Sequence, residues 1–313
     1  MSRLNRVFIT VLLGGFIAQP VLAADTDLDL VLLGVYNNNV TEAAAGLETS
    51  SALGRSILDI GLNWKTNGND KVFFKISGDT EHFFKTTIPG NTKLVLKPGY
   101  RFALFNEALE TTVSYRLTKN WRHLISSNTL SSSRRGTATT TDIPTYEDLS
   151  SDPYLSHRGQ ISSDYSRDKW RLGGWFDYDR KLYSTSDRRD SCFGAGGNLG
   201  LSPSNRVGLD LSAGYEQNSS NLSGSSYFGP FIQGLVIFQF TNSFSGTTLY
   251  RYALRNYGAD GVERNRMLVV DFEFELSAST SLEAELVRTN NSSSDALSSF
   301  QTMEYSSGVA FHF

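Results

Sequence analysis

Apolar and polar side chains alternate one by one along most of this chain. The clearest stretch puts Leu268, Val270, Phe272, Phe274 and Leu276 on one face and Val269, Asp271, Glu273 and Glu275 on the other. Successive side chains of an extended strand point to opposite faces, so this period predicts a strand with a greasy side and an acidic side. The same pattern sets Val207, Leu209, Leu211, Ala213 and Tyr215 against Gly208, Asp210, Ser212, Gly214 and Glu216. It also sets Leu109, Thr111, Val113, Tyr115 and Leu117 against Glu110, Thr112, Ser114, Arg116 and Thr118. Trp170, Leu172, Gly174, Phe176 and Tyr178 alternate with Arg171, Gly173, Trp175, Asp177 and Asp179. Runs of about ten residues exceed the about 5–6 usual in globular sheets and match the about 9–11 of a tilted strand crossing a bilayer.

Short turns are predicted at Asn67–Asp70, Lys119–Asn120, Arg167–Asp168, Pro203–Asn205, Thr241–Ser243 and Ser277–Thr280. Longer polar stretches at 40–54, 85–91, 136–152, 184–191, 217–226, 257–264 and 291–300 alternate with them over most of the chain. Short turns at one end and long loops at the other are the sidedness of a transmembrane antiparallel β-barrel. Fourteen strands are expected, with twelve or sixteen as alternatives. The region 92–120 is the obstacle to an even count, because Lys93–Phe105 and Leu109–Thr118 are separated only by Asn106, Glu107 and Ala108. Trp121, Trp170, Phe240 and Phe244 stand beside predicted short turns, where interfacial aromatic girdles form. A soluble β-sandwich also alternates; strand length and ring placement favour the barrel.

The first residues carry Arg3 and Arg6, an apolar run Val7–Ile17, then Pro20 and Val21-Leu22-Ala23. This is the layout of a cleaved secretory signal peptide, 1–23, leaving one barrel domain, 24–313. No cysteine at the cut suggests a lipoprotein, and no other stretch reaches the about 18 consecutive apolar residues of a membrane helix. Hydrophobic residues make up 39% and aromatics 12%, with a mean hydropathy of −0.27. That low average suits strands with a single apolar face. A net charge of −3 shows no basic excess, so nucleic acid is not an expected partner. Cys192 is the only cysteine and has no partner for an internal disulfide.

The chain ends on alternating Met303, Tyr305, Ser307, Val309, Phe311 and Phe313. With Tyr305, Val309, Phe311 and a terminal Phe313, it resembles Gram-negative outer-membrane β-barrel proteins of the porin-like class. The resemblance implies residence in the outer membrane of a Gram-negative bacterium, in contact with its lipid. It also implies that the barrel-assembly machinery reads this last strand. A general likeness in strand pattern to porin-like barrels of bacterial oligosaccharide and polysaccharide transport implies a polar solute.

If the greasy faces meet lipid, the other faces line the interior. Basic lumen candidates are Lys97, Arg101, Arg116, Arg158, Arg171, Arg206, Arg251 and Arg255. Acidic ones are Asp79, Glu110, Asp177, Asp210, Glu216, Asp271, Glu273, Glu275, Glu283 and Glu285. A turn at 277–280 would set Glu275 near Glu283 and Glu273 near Glu285, with Arg251 and Arg255 on the preceding strand as counter-charges. Such a wall either orients polar solutes by its field or braces the barrel as an ion-pair network. Trp175 and Tyr183, inward beside Asp177 and Asp179, suit stacking on sugar rings or plugging the lumen. Gly194, Gly196 and Gly200 share one inward face, where they would widen the lumen or seat a loop.

Enzyme chemistry has little support. Of the four histidines, His123 lies three residues from Ser126, so the two face opposite sides of a strand. His157 is near Ser156 and Ser162 without an orienting acid, and no histidine follows Asp177, Asp179 and Tyr183 at matching spacing. The carboxylates lack a loop of Asp-x-Asp type for calcium. The expected function is passive diffusion of small hydrophilic solutes through an outer-membrane channel, with no catalytic, cofactor or metal site. The alternatives are a non-conducting surface-display barrel, or a barrel enzyme cleaving lipid or peptide. Outward apolar surface alone does not divide between lipid and a neighbouring subunit, so the oligomeric state stays open.

Overall fold

The computed structural model describes residues 25–38, 50–66, 70–84, 90–105, 108–123, 153–184, 186–294 and 299–313. The segment 1–23, the turn residues 67–69 and the loop 136–152 lie outside them. The strands are β1 (Asp25–Asn37), β2 (Ser51–Lys65), β3 (Lys71–Phe83), β4 (Gly90–Leu104), β5 (Leu109–His123), β6 (Tyr154–Arg167) and β7 (Trp170–Tyr183). They continue as β8 (Arg189–Ser204), β9 (Val207–Ser220), β10 (Tyr227–Thr241), β11 (Phe244–Asn256), β12 (Val262–Ser277), β13 (Thr280–Ser293) and β14 (Phe300–His312). Each pairs antiparallel with its sequence neighbours, and β1 pairs with β14, so the sheet closes into a barrel.

The seam runs from Asp29 opposite His312 to Asn37 opposite Glu304. Phe313 extends it by one residue: its N–H donates to the Leu28 carbonyl at 2.9 Å, and the Leu28 N–H donates back at 3.3 Å. Closure satisfies the backbone of both terminal strands, which an open edge in lipid would leave unpaired.

Connections at one end are short. Asp168–Lys169 joins β6 to β7, Asn205–Arg206 joins β8 to β9, and Ala278–Ser279 joins β12 to β13. Asp168 takes φ of 50°, a left-handed conformation that aspartate tolerates better than most residues. The other end carries the longer connections, including 124–153, which makes it the outer end.

Two sequence expectations change here. Lys119–Asn120 is not a turn. It lies inside β5, where Lys119 pairs with Leu94 on one side and Leu155 on the other, so ladder hydrogen bonds on both edges keep the chain extended. β4 and β5 thus follow one another across the inner end, and the count among the described residues comes out even at fourteen. Trp121 accordingly stands at the outer end of β5, not beside an inner turn. Trp170 does stand by an inner turn, with its ring 5.6 Å from that of Tyr165. The Phe240 and Phe244 rings lie 4.9 Å apart beside another.

Most of the large apolar side chains are outside. Leu172 and Leu211 are each 55% exposed and Ile232 is 54% exposed, while inward Arg251 is only 1% exposed. A soluble sandwich has the opposite arrangement, and a water-soluble surface rarely tolerates an apolar belt of this size. On β12, Phe272, Phe274 and Leu276 all project outward.

Candidate functional site in the barrel interior

The inward rows meet across neighbouring strands and form charged clusters at three heights. At mid-height, Arg158 on β6 contacts Asp177 on β7 at 2.7 Å. Arg251 on β11 pairs with Glu216 on β9, reaching across β10. On the way its guanidinium lies 4.2 Å above the Phe231 ring. Phe231 in turn stacks on Trp175, with ring centres 6.0 Å apart. Beside them a cavity of about 60 Å³ is lined by Arg116, Tyr154, Asp179, Lys181 and Tyr227, among others. Ser156 donates to Asp179 at 2.5 Å in its wall.

The glycines of β8 explain how Trp175 fits. A Cβ on Gly194 would lie 2.8 Å from the Trp175 ring, and one on Gly196 would lie 2.9 Å from it. Gly194 and Gly196 thus leave room for the Trp175 indole against the wall. Gly200 lies beside Arg171 and Asp210.

Toward the inner mouth, Arg171 on β7 pairs with Asp210 on β9 at 2.6 Å and lies 3.9 Å from Asp164. Arg101 on β4 pairs with Glu110 on β5 at 3.3 Å. Lys97 on β4 stands opposite Lys75 on β3, and Lys71 opposite Arg101, giving a basic wall. Asp271, Glu273 and Glu275 on β12 join Glu283 and Glu285 on β13 in an acidic wall. These walls are separated by β14, β1 and β2 on one side and by β5 to β11 on the other.

The register of that acidic hairpin differs from expectation. Glu273 pairs with Glu283, Asp271 with Glu285, and Glu275 with Ser281. The turn is two residues, with a register irregularity between Glu275 and Ser277, instead of four residues spanning 277–280. Arg251 and Arg255 lie nearer the outer end, opposite Met267 and Glu263 respectively, and do not face the acidic pairs. Arg206 does not line the interior either. It occupies the exposed two-residue turn between β8 and β9, where the chain reverses before its side chain can join the wall.

Near the outer mouth, Arg255 lies 4.5 Å above the Tyr227 ring, which packs 5.5 Å from Tyr257. Tyr257, in the loop after β11, donates to Glu263 at 2.8 Å. Burial raises its hydroxyl well above the usual phenol range. Arg188 contacts Asp190 at 2.7 Å and covers the Tyr183 ring at 4.6 Å.

Several interior groups escaped the sequence reading. Arg55 on β2 makes two bonds to Asp79 on β3, at 2.8 and 3.0 Å, and lies 3.8 Å from Glu81. Asn37 donates to Glu304 at 3.1 Å in the same region. Two apolar patches also face inward: Val31, Leu33, Val35, Leu53, Ile57, Phe83 and Ala310, and Leu249, Met267, Val269 and Val287. Arg55 sits between Leu53 and Ile57 in its row and is absent from the lumen candidates named above.

Ser281, His312 and Asp29 also line up at the inner mouth. Ser281 Oγ lies 3.4 Å from His312 Nε2, and His312 Nδ1 lies 2.7 Å from Asp29 Oδ1. Ser281 is 1% exposed, which closes its hydroxyl to a substrate. The row ties β13, β14 and β1 together at the seam. His157 faces outward, 2.5 Å from the Tyr115 hydroxyl. Tyr305, Val309 and Phe311 face outward on β14, and the rings of Phe311 and Phe313 stack at 6.5 Å.

The closed antiparallel barrel, with its apolar belt outside, is the architecture of outer-membrane proteins. The chain is similar in fold to the outer membrane channel DcaP of Acinetobacter baumannii, at a TM-score of 0.51 and 14% identity, covering 93% of this chain and 97% of that one. It is also similar to a bacterial polysaccharide outer membrane secretin, at a TM-score of 0.50 and 6% identity, covering 91% and 97%. No protein-family model and no curated protein matches the chain.

Proposed function

We propose that this chain is an outer-membrane channel for passive diffusion of small hydrophilic solutes, formed by residues 24–313 after removal of the signal segment 1–23. One observation carries the reading: inward walls of opposite charge stand apart around the lumen. Lys71, Lys75, Lys97 and Arg101 form one wall, and Asp271, Glu273, Glu283 and Glu285 the other. A solute between them feels a transverse field, strengthened by the low-dielectric surroundings. Arg158–Asp177 and Arg251–Glu216 project into the interior at mid-height, and in this reading they would add selection by size to selection by charge. Trp175 and Phe231 are 9% and 4% exposed, so their stack braces the wall, and oligosaccharides would meet the polar and charged lumen groups instead. The similarly folded Acinetobacter protein is an outer membrane channel, which accords with this role. In the same reading, Phe313 and the outward row before it serve as the signal for the barrel-assembly machinery.

The test is reconstitution of the folded protein in a planar bilayer. Stepwise single-channel conductance is the expected result. A folded sample that never conducts overturns the channel and supports a second reading, a closed barrel that displays its outer loops. The burial of Arg251 and of the inward apolar patches favours that alternative.

A further inference from the structure

The outward faces of β11 to β14 change character with height. On β12 the outward row descends from the outer end as Arg264, Arg266, Leu268, Val270 and Phe272. On β13 it descends as Ser292, Asn290, Arg288, Leu286 and Ala284. Arg264, Arg266 and Arg288 are exposed, and the outward rows of these four strands contain no Asp or Glu side chain. Arg266 is steadied 5.9 Å above the Tyr252 ring. Directly inward of the arginines, the same surface sinks into a groove of about 740 Å³. Its floor includes Gly34, Ala52, Ala284 and Ser307, and Phe272 and Tyr305 stand at its sides.

Charged side chains on the lipid face are tolerated near the membrane interface and are costly at the midplane. Three arginines at the outer interface thus sit where lipid phosphates lie, and guanidinium groups match phosphate in charge and geometry. The groove continues from that level toward the membrane centre, the course of an acyl chain. Lys119 and Arg180, outward on β5 and β7, lie away from this groove.

We propose that this seam holds one phosphate-bearing lipid of the outer leaflet. Its phosphate rests on Arg264, Arg266 and Arg288, and an acyl chain fills the groove over Gly34 and Ala284. The proposal rests on membrane placement and is independent of conductance.

The test incubates the folded full-length protein in detergent with purified bisphosphorylated lipid A, and counts lipid retained per barrel by native mass spectrometry. Variants are Arg264→Gln/Arg266→Gln/Arg288→Gln and, separately, Gly34→Leu. A Cβ at Gly34 meets only the Ser307 carbonyl at 3.9 Å, so leucine fills the groove without displacing backbone. Heat-modifiable gel mobility reports folding, and single Arg288→Gln serves if the triple variant fails to fold. Retention should fall about tenfold in the triple variant, the scale of one charge-assisted hydrogen bond, and by about as much in Gly34→Leu, whose side chain occupies the acyl-chain groove. Dephosphorylated lipid A should be retained as weakly as lipid A is by the triple variant. Millimolar inorganic phosphate should not displace the bound lipid.

Equal retention by wild type and variants overturns the proposal. So does equal retention of the dephosphorylated lipid, displacement by inorganic phosphate, or an oligomer whose interface covers the groove. Loss of the proposal with conductance intact leaves the channel standing.

Discussion

Arg251 and Glu216 form an ion pair that skips a strand, joining β11 to β9 over the ring of Phe231 on β10. Arg251 is 1% exposed. Removing one member of a buried pair leaves the other as an uncompensated charge, which costs about 3–5 kcal/mol. Arg251→Met alone should therefore lower stability by that amount in urea unfolding from lipid vesicles. Arg251→Met/Glu216→Gln should recover most of it, because the stranded carboxylate is gone. Equal losses in the single and double variants would show that packing on Phe231, not charge, is what Arg251 supplies.

Trp175 depends on the missing side chains of β8. Gly194→Ala should force the indole off the wall, costing about 1–3 kcal/mol as overpacking does. Trp175→Leu/Gly194→Ala should be better tolerated than Gly194→Ala alone, because the clashing ring is removed. Urea midpoints check the order, and the Trp175 contribution to fluorescence should shift in the single variant. An unchanged midpoint in Gly194→Ala would mean that the ring has room elsewhere.

Glu273 and Glu283 stand directly opposite each other on β12 and β13. Like charges in that position destabilise a sheet by about 0.2–1 kcal/mol per pair. Glu283→Gln should raise stability by an amount in that range. If the acidic wall selects ions, the same change should move the reversal potential in a salt gradient toward anions. Neutralising Lys97 to Gln should move it the other way. A reversal potential that ignores both substitutions would remove these walls from the permeation path.

Much of the barrel was legible in the sequence, because one-by-one alternation determines which side chain points where once a strand exists. β9, β12 and β14 read directly, as did their outward rows. The strand ends were harder. Lys119–Asn120 has turn-like composition, but ladder bonds to Leu94 and Leu155 keep it extended, and pairing between distant strands leaves no local mark. The hairpin 268–288 shows how a single register irregularity alters chemistry. A two-residue turn replaces the expected four, and Glu283 faces Glu273 instead of Glu275.

The charged candidates were placed on a face by periodicity, yet their partners depend on strand order and height. Arg158 with Asp177 follows from adjacency. Arg251 with Glu216 does not, since it crosses a strand. Arg55 was hidden between two aliphatic neighbours, and its bonds to Asp79 became visible only when β2 and β3 were set in register. The same holds for Ser281, His312 and Asp29, which come from both ends of the chain.

The account requires that oil and water alternate residue by residue around the barrel. A Cys192→Ser background carrying single spin labels at Leu268, Val269, Val270, Asp271, Phe272 and Glu273, reconstituted in lipid, tests this through accessibility to oxygen and to a water-soluble nickel chelate. Labels at Leu268, Val270 and Phe272 should favour oxygen, and those at Val269, Asp271 and Glu273 should be shielded from lipid. A profile without that two-residue period, or one with Phe272 facing away from lipid, would contradict the fold and everything built on it.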